Sequence, residues 1–448
     1  MGLLNHIKDK TVTIGVIGLG YVGLPLAIEF SSGGYKVLGI DNNVQKIEML
    51  VRGESNIDKE TDQKLKECYS DFEFCITSDF SKIHQCNVVI ICVPTPLNEN
   101  HEPDLSYILN ALDNIGANLL KNSLIILEST TYPGTTDELL YGKIQEYGFE
   151  VGKDVFLCYS PERIDPGNKV SNIRDIPKIV SGVTHECLTY GKMLYNSIFH
   201  TVYPVSSTKT AEMTKLLENT FRNINIGFIN EFSILCEKVG VNVWEVISAA
   251  STKPYGFMTF FPGPGVGGHC IPLDPIYLSW KAKQLNAPSN FIETSYQINR
   301  NMPSYVLNKI VVALNARKKS VNGSKLLLLG MAYKANIGDY RESPSLEIYG
   351  TLRKMGARVS VNEPHSNLLF DNLGNAIENF ELNYNELHKF DCVIILTPHT
   401  VYQRELLVKN SKLIVDTRNF LDGYEDEKIF LMGSAKQEIT TKNLVVSS

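Results

Sequence analysis

The stretch Thr11–Ser31, T-V-T-I-G-V-I-G-L-G-Y-V-G-L-P-L-A-I-E-F-S, decides the fold. Its β-branched, apolar run up to Ile17 predicts a strand, and Leu24–Ser31 carries a helical apolar pattern. Gly18-Leu19-Gly20-Tyr21-Val22-Gly23 therefore lies at a strand-to-helix turn. A G-x-G-x-x-G is a weak signal alone. At such a junction its glycines let the backbone reach a pyrophosphate on the helix N-terminus, whose unpaired N–H groups and dipole favour an anion. A second strand, Lys36–Ile40, ends in Asp41 about 20 residues downstream, where a carboxylate can bind a ribose 2′-hydroxyl. No arginine follows in Asn42-Asn43-Val44, so a 2′-phosphate would face Asp41 without an obvious counter-charge. NAD is expected rather than NADP.

Further along, Val88–Val93 is a continuous apolar run stopped by Pro94-Thr95-Pro96, and Leu124–Leu127 is another, ending in Glu128-Ser129-Thr130-Thr131. Such runs suit parallel strands covered on both faces. Ligands in open α/β sheets bind beyond the carboxyl ends of the strands, so Pro94, Thr95, Ser129 and Thr130 should line the cofactor crevice. Phe156–Tyr159 repeats the design and delivers Ser160-Pro161-Glu162-Arg163, a site segment or a solvated ion pair.

From Ser206 to Gly240 the pattern is helical, predicting a rod of about 50 Å at ~1.5 Å per residue. Met213, Leu216, Leu217, Phe221, Ile224, Phe228 and Leu235 cover more than one stripe, which suits a central helix or a subunit interface. Lys215, Asn219 and Asn223 recur every fourth residue as a polar line, a functional row or a solvated face. A second helical stretch, Val243–Ala249, leads into Phe260–Pro275, F-F-P-G-P-G-V-G-G-H-C-I-P-L-D-P. The density of glycine and proline predicts a shaped loop, neither helix nor strand. In it Cys270 stands beside His269 and four residues before Asp274, either a nucleophile with ionisable neighbours or a small buried hydrophobe.

The polar segment Arg317–Ser324 reads as a linker to a second α/β unit. There Lys325–Leu329 runs into Gly330-Met331-Ala332-Tyr333-Lys334, Arg358–Val361 into Asn362-Glu363-Pro364, and Cys392–Leu396 into Thr397-Pro398. The expected architecture is α/β, two Rossmann-like doubly wound parallel sheets joined by a central helical domain with a long helix. The divisions fall at 1–203, 204–316 and 317–448. Without a G-x-G-x-x-G, the second sheet should bind something other than a dinucleotide. Lys334 and Arg341 would suit a nucleotide diphosphate, or else are surface charge.

Composition narrows the classes. At ~100–200 residues per domain, 448 residues suggest two or three domains, and 43% apolar with 21% charged residues is ordinary globular composition. A net charge of −6 without a basic run argues against nucleic acid or an anionic membrane as partner. Nine scattered cysteines without zinc spacing read as reduced thiols of a cytoplasmic protein, with no metal site expected. The polar N-terminus has no secretory core, His6 breaks a myristoylation pattern, and no apolar run approaches the ~18–20 residues that span a bilayer.

Taken together, G-L-G-Y-V-G-L-P-L-A, V-P-T-P, E-S-T-T-Y-P-G-T, S-P-E-R, A-E-M-T-K-L-L-E-N-T, G-G-H-C-I-P-L-D-P and the K-x5-D-x-R-E-S-P loop resemble, in order and through almost the whole chain, the UDP-glucose/UDP-mannuronate dehydrogenases, which oxidise a 6-hydroxymethyl group to a carboxylate with two NAD+. The resemblance implies Cys270 as covalent nucleophile, Lys215 as oxyanion stabiliser, Asn219 and Asp274 holding or activating water, Glu162 assisting hydrolysis, and Thr130 near the reacting carbon. Acid and base roles among Lys215, Asp274 and Glu162 stay unassigned. It further implies UDP-sugar contacts from Glu162, Arg163, Lys215, Asn219, Phe261, Gly265, Gly267, Lys334 and Arg341, and a homodimer through the central helix. UDP-glucose enzymes carry Gly-Gly-Ser-Cys-Phe, where this chain has Gly267-Gly268-His269-Cys270-Ile271. That pattern is similar to enzymes of UDP-N-acetylhexosamines, with UDP-N-acetylglucosamine the expected substrate and UDP-glucose and UDP-N-acetylmannosamine the alternatives. Thr259 and Phe261 stand where that branch has proline and tyrosine. A nucleotide-sugar-binding module without catalysis would have no need of Cys270, Lys215 and Asp274 together.

Overall fold

The computed structural model describes residues 2–435 other than 56, 58, 72, 117, 165–171, 269 and 367. By its internal contacts the chain divides into two compact units, Met1–Asn219 with Leu273–Pro288, and Thr220–Pro272 with Ser289–Ser448.

The first unit is built on eight strands: β1 Thr13–Ile17, β2 Lys36–Ile40, β3 Phe74–Thr77, β4 Val88–Ile91, β5 Ser123–Leu127, β6 Val155–Tyr159, β7 Lys178–Gly182 and β8 Val202–Pro204. Their order is β3-β2-β1-β4-β5-β6-β7-β8. The pairs are parallel except β6 with β7. Order reverses between β1 and β4, the switch point where the ends of two neighbouring strands open a crevice. Residues along each strand point alternately to opposite faces. Ile14, Val88, Ile90, Leu124 and Ile126 enter one hydrophobic core, while Ile17, Val89, Ile91, Ile125 and Leu127 enter another. Burial on both faces is why these strands read as uninterrupted apolar runs. The sequence reading had no β3, β7 or β8; β8 has only three residues, and Lys178 at the head of β7 resembles a surface residue.

The second unit repeats the plan with β9 Lys325–Leu329, β10 Arg358–Asn362, a small hairpin of β11 Leu369–Phe370 and β12 Ala376–Ile377, then β13 Cys392–Ile395, β14 Ile414–Asp416 and β15 Ile429–Leu431. Its five-stranded sheet has the order β10-β9-β13-β14-β15, all parallel. Leu326, Leu328, Cys392 and Ile394 face one core and Leu327, Leu329, Val393 and Ile395 the other. The echo of the first sheet extends to its turns. Gly18 donates to the Ile40 carbonyl at 2.8 Å with φ +91°, and Gly330 donates to the Asn362 carbonyl at 2.9 Å with φ +83°.

Two helices belong partly to each unit. The long helix is Thr208–Val239. In the first unit its Glu212 accepts from the Gly134 and Thr136 amides and the Thr136 hydroxyl at 2.6, 2.9 and 2.7 Å, anchoring the loop after β5. In the second unit Asn230 and Asn223 bond Asn299 on the helix Asn290–Ala316.

The other shared helix corrects the expectation of a loop over Phe260–Pro275: Cys270 is the first residue of a helix, Cys270–Gln284. Pro272 sits in the first turn, where N–H groups have no intrahelical partner in any case. Pro275 lies deeper and leaves the Ile271 carbonyl without its N–H; Asn223 Nδ2 donates to that carbonyl instead at 3.1 Å. Among the described residues no helix is long and apolar enough to cross a membrane.

Candidate active site

The three motif glycines do different work. A side chain on Gly18 would lie 2.6 Å from the Cys92 carbonyl oxygen, and one on Gly23 would lie 1.9 Å from the Gly18 carbonyl oxygen, so both serve the turn. One on Gly20 would meet nothing within 4 Å. Its open side leaves room for a pyrophosphate against the N-terminus of the helix Gly23–Ser32, with half-buried Tyr21 and Val22 leading into it. Asp41, buried at the end of β2, accepts from the Leu19 amide at 2.9 Å and the Asn43 amide at 3.0 Å, which aims it at the same turn. Lys46 also bonds Asp41, at 2.7 Å, which corrects the expectation that no cation stands by this carboxylate. The missed signal was helical: Asn43 caps Val44–Val51 and puts Lys46 in its first turn, facing back to Asp41. The loops after β4 and β5 are tied together: the Thr95 hydroxyl donates to the Thr130 carbonyl at 2.8 Å and the Ser129 hydroxyl to the Val93 carbonyl at 2.7 Å. Pro94 is exposed at their rim.

The first unit also holds five of the residues expected to be catalytic, Thr130, Glu162, Lys215, Asn219 and Asp274. The polar line on the long helix is buried and not solvated, since Lys215, Asn219 and Asn223 are all nearly inaccessible. Lys215 Nζ donates to the Glu162 carbonyl oxygen at 2.6 Å, and Asn219 Nδ2 to Asp274 Oδ2 at 2.5 Å. Burial pushes the Asp274 carboxyl up to about 6, with the Lys215 charge and the Asn219 hydrogen bond pulling it back. Glu162 follows β6, and its Oε1 accepts from the amides of Arg163 and Ile164 at 2.6 and 2.7 Å. Its Oε2 accepts from Lys178 at 3.1 Å. Arg163 turns away from Glu162: its guanidinium bonds Glu218 at 2.6 and 3.2 Å and the Pro177 carbonyl at 2.8 Å.

In the second unit the glycine-rich loop before Cys270 packs on protein. Side chains on Gly267 or Gly268 would overlap Tyr333 at 2.7 and 2.9 Å, and one on Gly265 would press the Asn299 carbonyl oxygen at 3.0 Å. The Gly268 amide donates to the Arg341 carbonyl at 3.1 Å. Thus the loop is seated on the segment holding Lys334 and Arg341, whose guanidinium pairs with Asp339 at 2.7 and 2.9 Å. Phe261 is exposed and stacks on Trp244 with ring centres 5.9 Å apart. Cys270 is exposed, and His269 lies outside the described residues.

A residue the sequence reading passed over is Arg418. Its Nε donates to the Leu396 carbonyl at 3.1 Å, and its Nη1 lies where a Gly263 side chain would be. Burial draws the guanidinium down to about 10 against the opposing field of Asp416. A half-buried cation under a glycine loop at the carboxyl end of a parallel strand is a ready anion contact.

Models of three domains match in sequence: the NAD binding domain of the UDP-glucose/GDP-mannose dehydrogenase family over 12–199, its central domain over 209–301 and its UDP binding domain over 327–423. The chain belongs to the UDP-glucose/GDP-mannose dehydrogenase family. It is an NAD-dependent nucleotide-sugar dehydrogenase. It is 38% identical over 357 residues, 79% of this chain and 83% of the other, to a UDP-N-acetyl-D-glucosamine 6-dehydrogenase of Pseudomonas aeruginosa. It is 33% identical over 430 residues, 93% and 95% of the two chains, to a UDP-N-acetyl-D-mannosamine dehydrogenase of Methanococcus vannielii. Among solved structures, a UDP-D-ManNAc dehydrogenase from Pyrococcus horikoshii superposes with a TM-score of 0.86 at 32% identity, covering 94% of this chain and 99% of that one.

The family's cofactor gives the glycine geometry a test. Gly20→Ala should fold with stability within about 0.5 kcal/mol of wild type and lose tenfold or more in NAD+ affinity by titration calorimetry, on the order of 1.4 kcal/mol. Gly23→Ala should cost stability, about 1–3 kcal/mol by urea denaturation, because it meets backbone. The reverse pattern would show that the open side of Gly20 is not the pyrophosphate position.

Asp274 gives a pH test. Its folded-state pKa, about 6, lies above the ordinary 3.8, so it takes up a proton on folding. The stability this contributes is complete below about pH 4 and lost as pH rises through about 6. Asp274→Asn should therefore gain on wild type between about pH 4 and pH 7, by up to about 3 kcal/mol at ~1.36 kcal/mol per unit. A difference that stays flat over this range would mean that the carboxyl is not desolvated.

Proposed function

We propose that the enzyme oxidises the 6-hydroxymethyl group of a UDP-N-acetylhexosamine, UDP-N-acetylglucosamine first, to the uronic acid for polysaccharide biosynthesis. The observation that carries the catalytic part is the buried set Lys215, Asn219, Asp274 and Glu162, with Asp274 one turn into the helix that Cys270 begins. NAD+ supplies the hydride acceptor. Segment 1–203 holds the cofactor, 204–316 supplies catalytic side chains and 317–448 binds the UDP moiety, with Lys334, Arg341 and Arg418 as its cations.

The chemistry assigns the thiol. An alcohol needs only a base and a hydride acceptor, whereas an aldehyde loses hydride readily once a nucleophile has added. The Cys270 thiolate adds to the aldehyde carbon, and Lys215 stabilises the oxygen that takes the negative charge. Loss of the second hydride leaves a thioester. Water then adds to its carbonyl, the C–S bond breaks with the electron pair returning to Cys270 sulfur, and the proton of water passes to a carboxylate, Glu162 or Asp274. Asn219 holds Asp274, and Thr130 borders the reacting carbon.

UDP-N-acetylglucosamine is supported by the 38% identity to the Pseudomonas enzyme. UDP-N-acetylmannosamine is the second reading, supported by the Pyrococcus structure and the Methanococcus relative. Initial rates with UDP-glucose and the three UDP-N-acetylhexosamines decide between them. The highest kcat/KM is expected for UDP-N-acetylglucosamine, with two NADH per acid and no released aldehyde. A mannosamine preference would move the assignment to the second reading, and turnover confined to UDP-glucose would overturn both.

The same proposal includes a homodimer. Along the long helix Leu217, Phe221, Phe228, Leu235 and Val239 are exposed by 65, 45, 57, 53 and 68%, an apolar stripe suited to a second copy. Phe228→Glu should shift the wild-type dimer to monomer in sedimentation equilibrium; a wild-type monomer would refute it.

A further inference from the structure

One cluster in the first unit is not accounted for by the chemistry above. Lys178, at the head of β7, is 3% exposed. Its ammonium lies 2.6 Å from Glu128 Oε2 and 3.1 Å from Glu162 Oε2. Glu128 directly follows β5 and is 1% exposed; its other oxygen accepts from the Tyr195 hydroxyl. The rings of Tyr195 and Phe199 lie 5.2 and 5.5 Å from the ammonium. Cys92, after β4, is the further titratable neighbour of all three charges. One cation thus bridges two carboxylates that follow neighbouring strands, with Glu128 and Lys178 closed off from solvent and Glu162 7% exposed.

We propose that Lys178 is a positioning residue for Glu162: with Glu128 and Tyr195 as its rigid backing, it fixes the Glu162 carboxylate for hydrolysis of the Cys270 thioester. This deepens the reaction proposed above and rests on it. Two backbone amides hold Glu162 Oε1, and Lys178 alone among the described side chains holds Oε2. The rotamer of the carboxylate is therefore set by the ammonium. An ordinary structural ion pair would need one acid. Here the second acid, Glu128, holds Lys178 from the core side, and burial pushes that carboxyl up to about 7 despite the opposing Lys178 charge. In the step itself water oxygen bonds the thioester carbon, its proton goes to Glu162, and the sulfur leaves as thiolate. No oxidant is needed.

The test separates hydrolysis from the two hydride transfers. In rapid-mixing experiments with UDP-N-acetylglucosamine and NAD+, Lys178→Met should give a burst approaching two NADH per subunit followed by turnover about 10–100-fold slower than wild type, the loss usual when an orienting partner is removed. Substrate KM should not rise, and the quenched protein should carry the uronyl mass on Cys270. Lys178→Arg should recover most of the rate. If Lys178→Met does not fold, Lys178→Met/Glu128→Gln removes the cation and one of its two anions together, so that only Glu162, whose Oε1 keeps its two backbone amides, loses a charge partner, and should show the same burst and slow phase. Wild-type steady-state turnover in either folded variant would overturn the proposal, as would a loss confined to the burst. A wild-type enzyme that released aldehyde or made no acid would instead refute the underlying reaction, whatever the variants did.

Discussion

Charge taken out of water must find a partner, and the first unit is arranged around that requirement. Lys178, Lys215, Glu128, Glu162, Glu212 and Asp274 are all buried. An unpaired ion in such a place costs several kcal/mol, so each must be met by an opposite charge, an amide or a carbonyl. The donors and acceptors come from strand ends and from the long helix: Lys215 meets the Glu162 carbonyl, Asn219 meets Asp274, and the Gly134–Thr136 loop meets Glu212. Satisfying these groups aligns the loops after β5 and β6 with the face of the helix. Fixed charges at the carboxyl edge of a parallel sheet are also what oxyanion and water chemistry requires.

The second unit reuses the plan for a different end. The acid closing β2, Asp41, accepts from the turn after β1; the acid closing the strand after β9, Glu363, accepts from the Met331 and Ala332 amides at 2.8 and 2.9 Å. In the first unit that turn has an open glycine side. In the second, Glu363 also meets buried His399 at 3.1 Å, and the glycines of the loop before Cys270 fit against Tyr333. The duplicated geometry thus yields one dinucleotide cradle and one platform that seats the loop leading to the thiol.

Much of this was legible from the chain. Val88–Ile91 and Ser123–Leu127 read as covered strands because alternate residues enter two cores, and the glycine motif falls at the expected strand-to-helix turn, with Asp41 at the end of β2, because its signals are local. Lys215, Asn219 and Asp274 came from family resemblance, since fourfold spacing could not tell a buried line from a solvated one. What escaped depends on tertiary partners. Lys178 heads a strand of five residues and looks like surface charge until Glu128 and Glu162 surround it. Arg418 gains its meaning from Gly263, far away in sequence. The helix from Cys270 was masked by Pro272 and Pro275, because nothing local announces that Asn223 will take the Ile271 carbonyl.

The central claim is that one thiol makes the second oxidation possible. The most direct measurement is product analysis with Cys270→Ala beside Cys270→Ser, at saturating NAD+ and UDP-N-acetylglucosamine. Acid formation by Cys270→Ala should fall by orders of magnitude while both ligands still bind. Cys270→Ser should retain the sugar covalently, since an alkoxide is a poorer leaving group than a thiolate, and intact-protein mass spectrometry should find the adduct. Acid made by Cys270→Ala at the wild-type rate would contradict the account, leaving Cys270 a residue of structure alone.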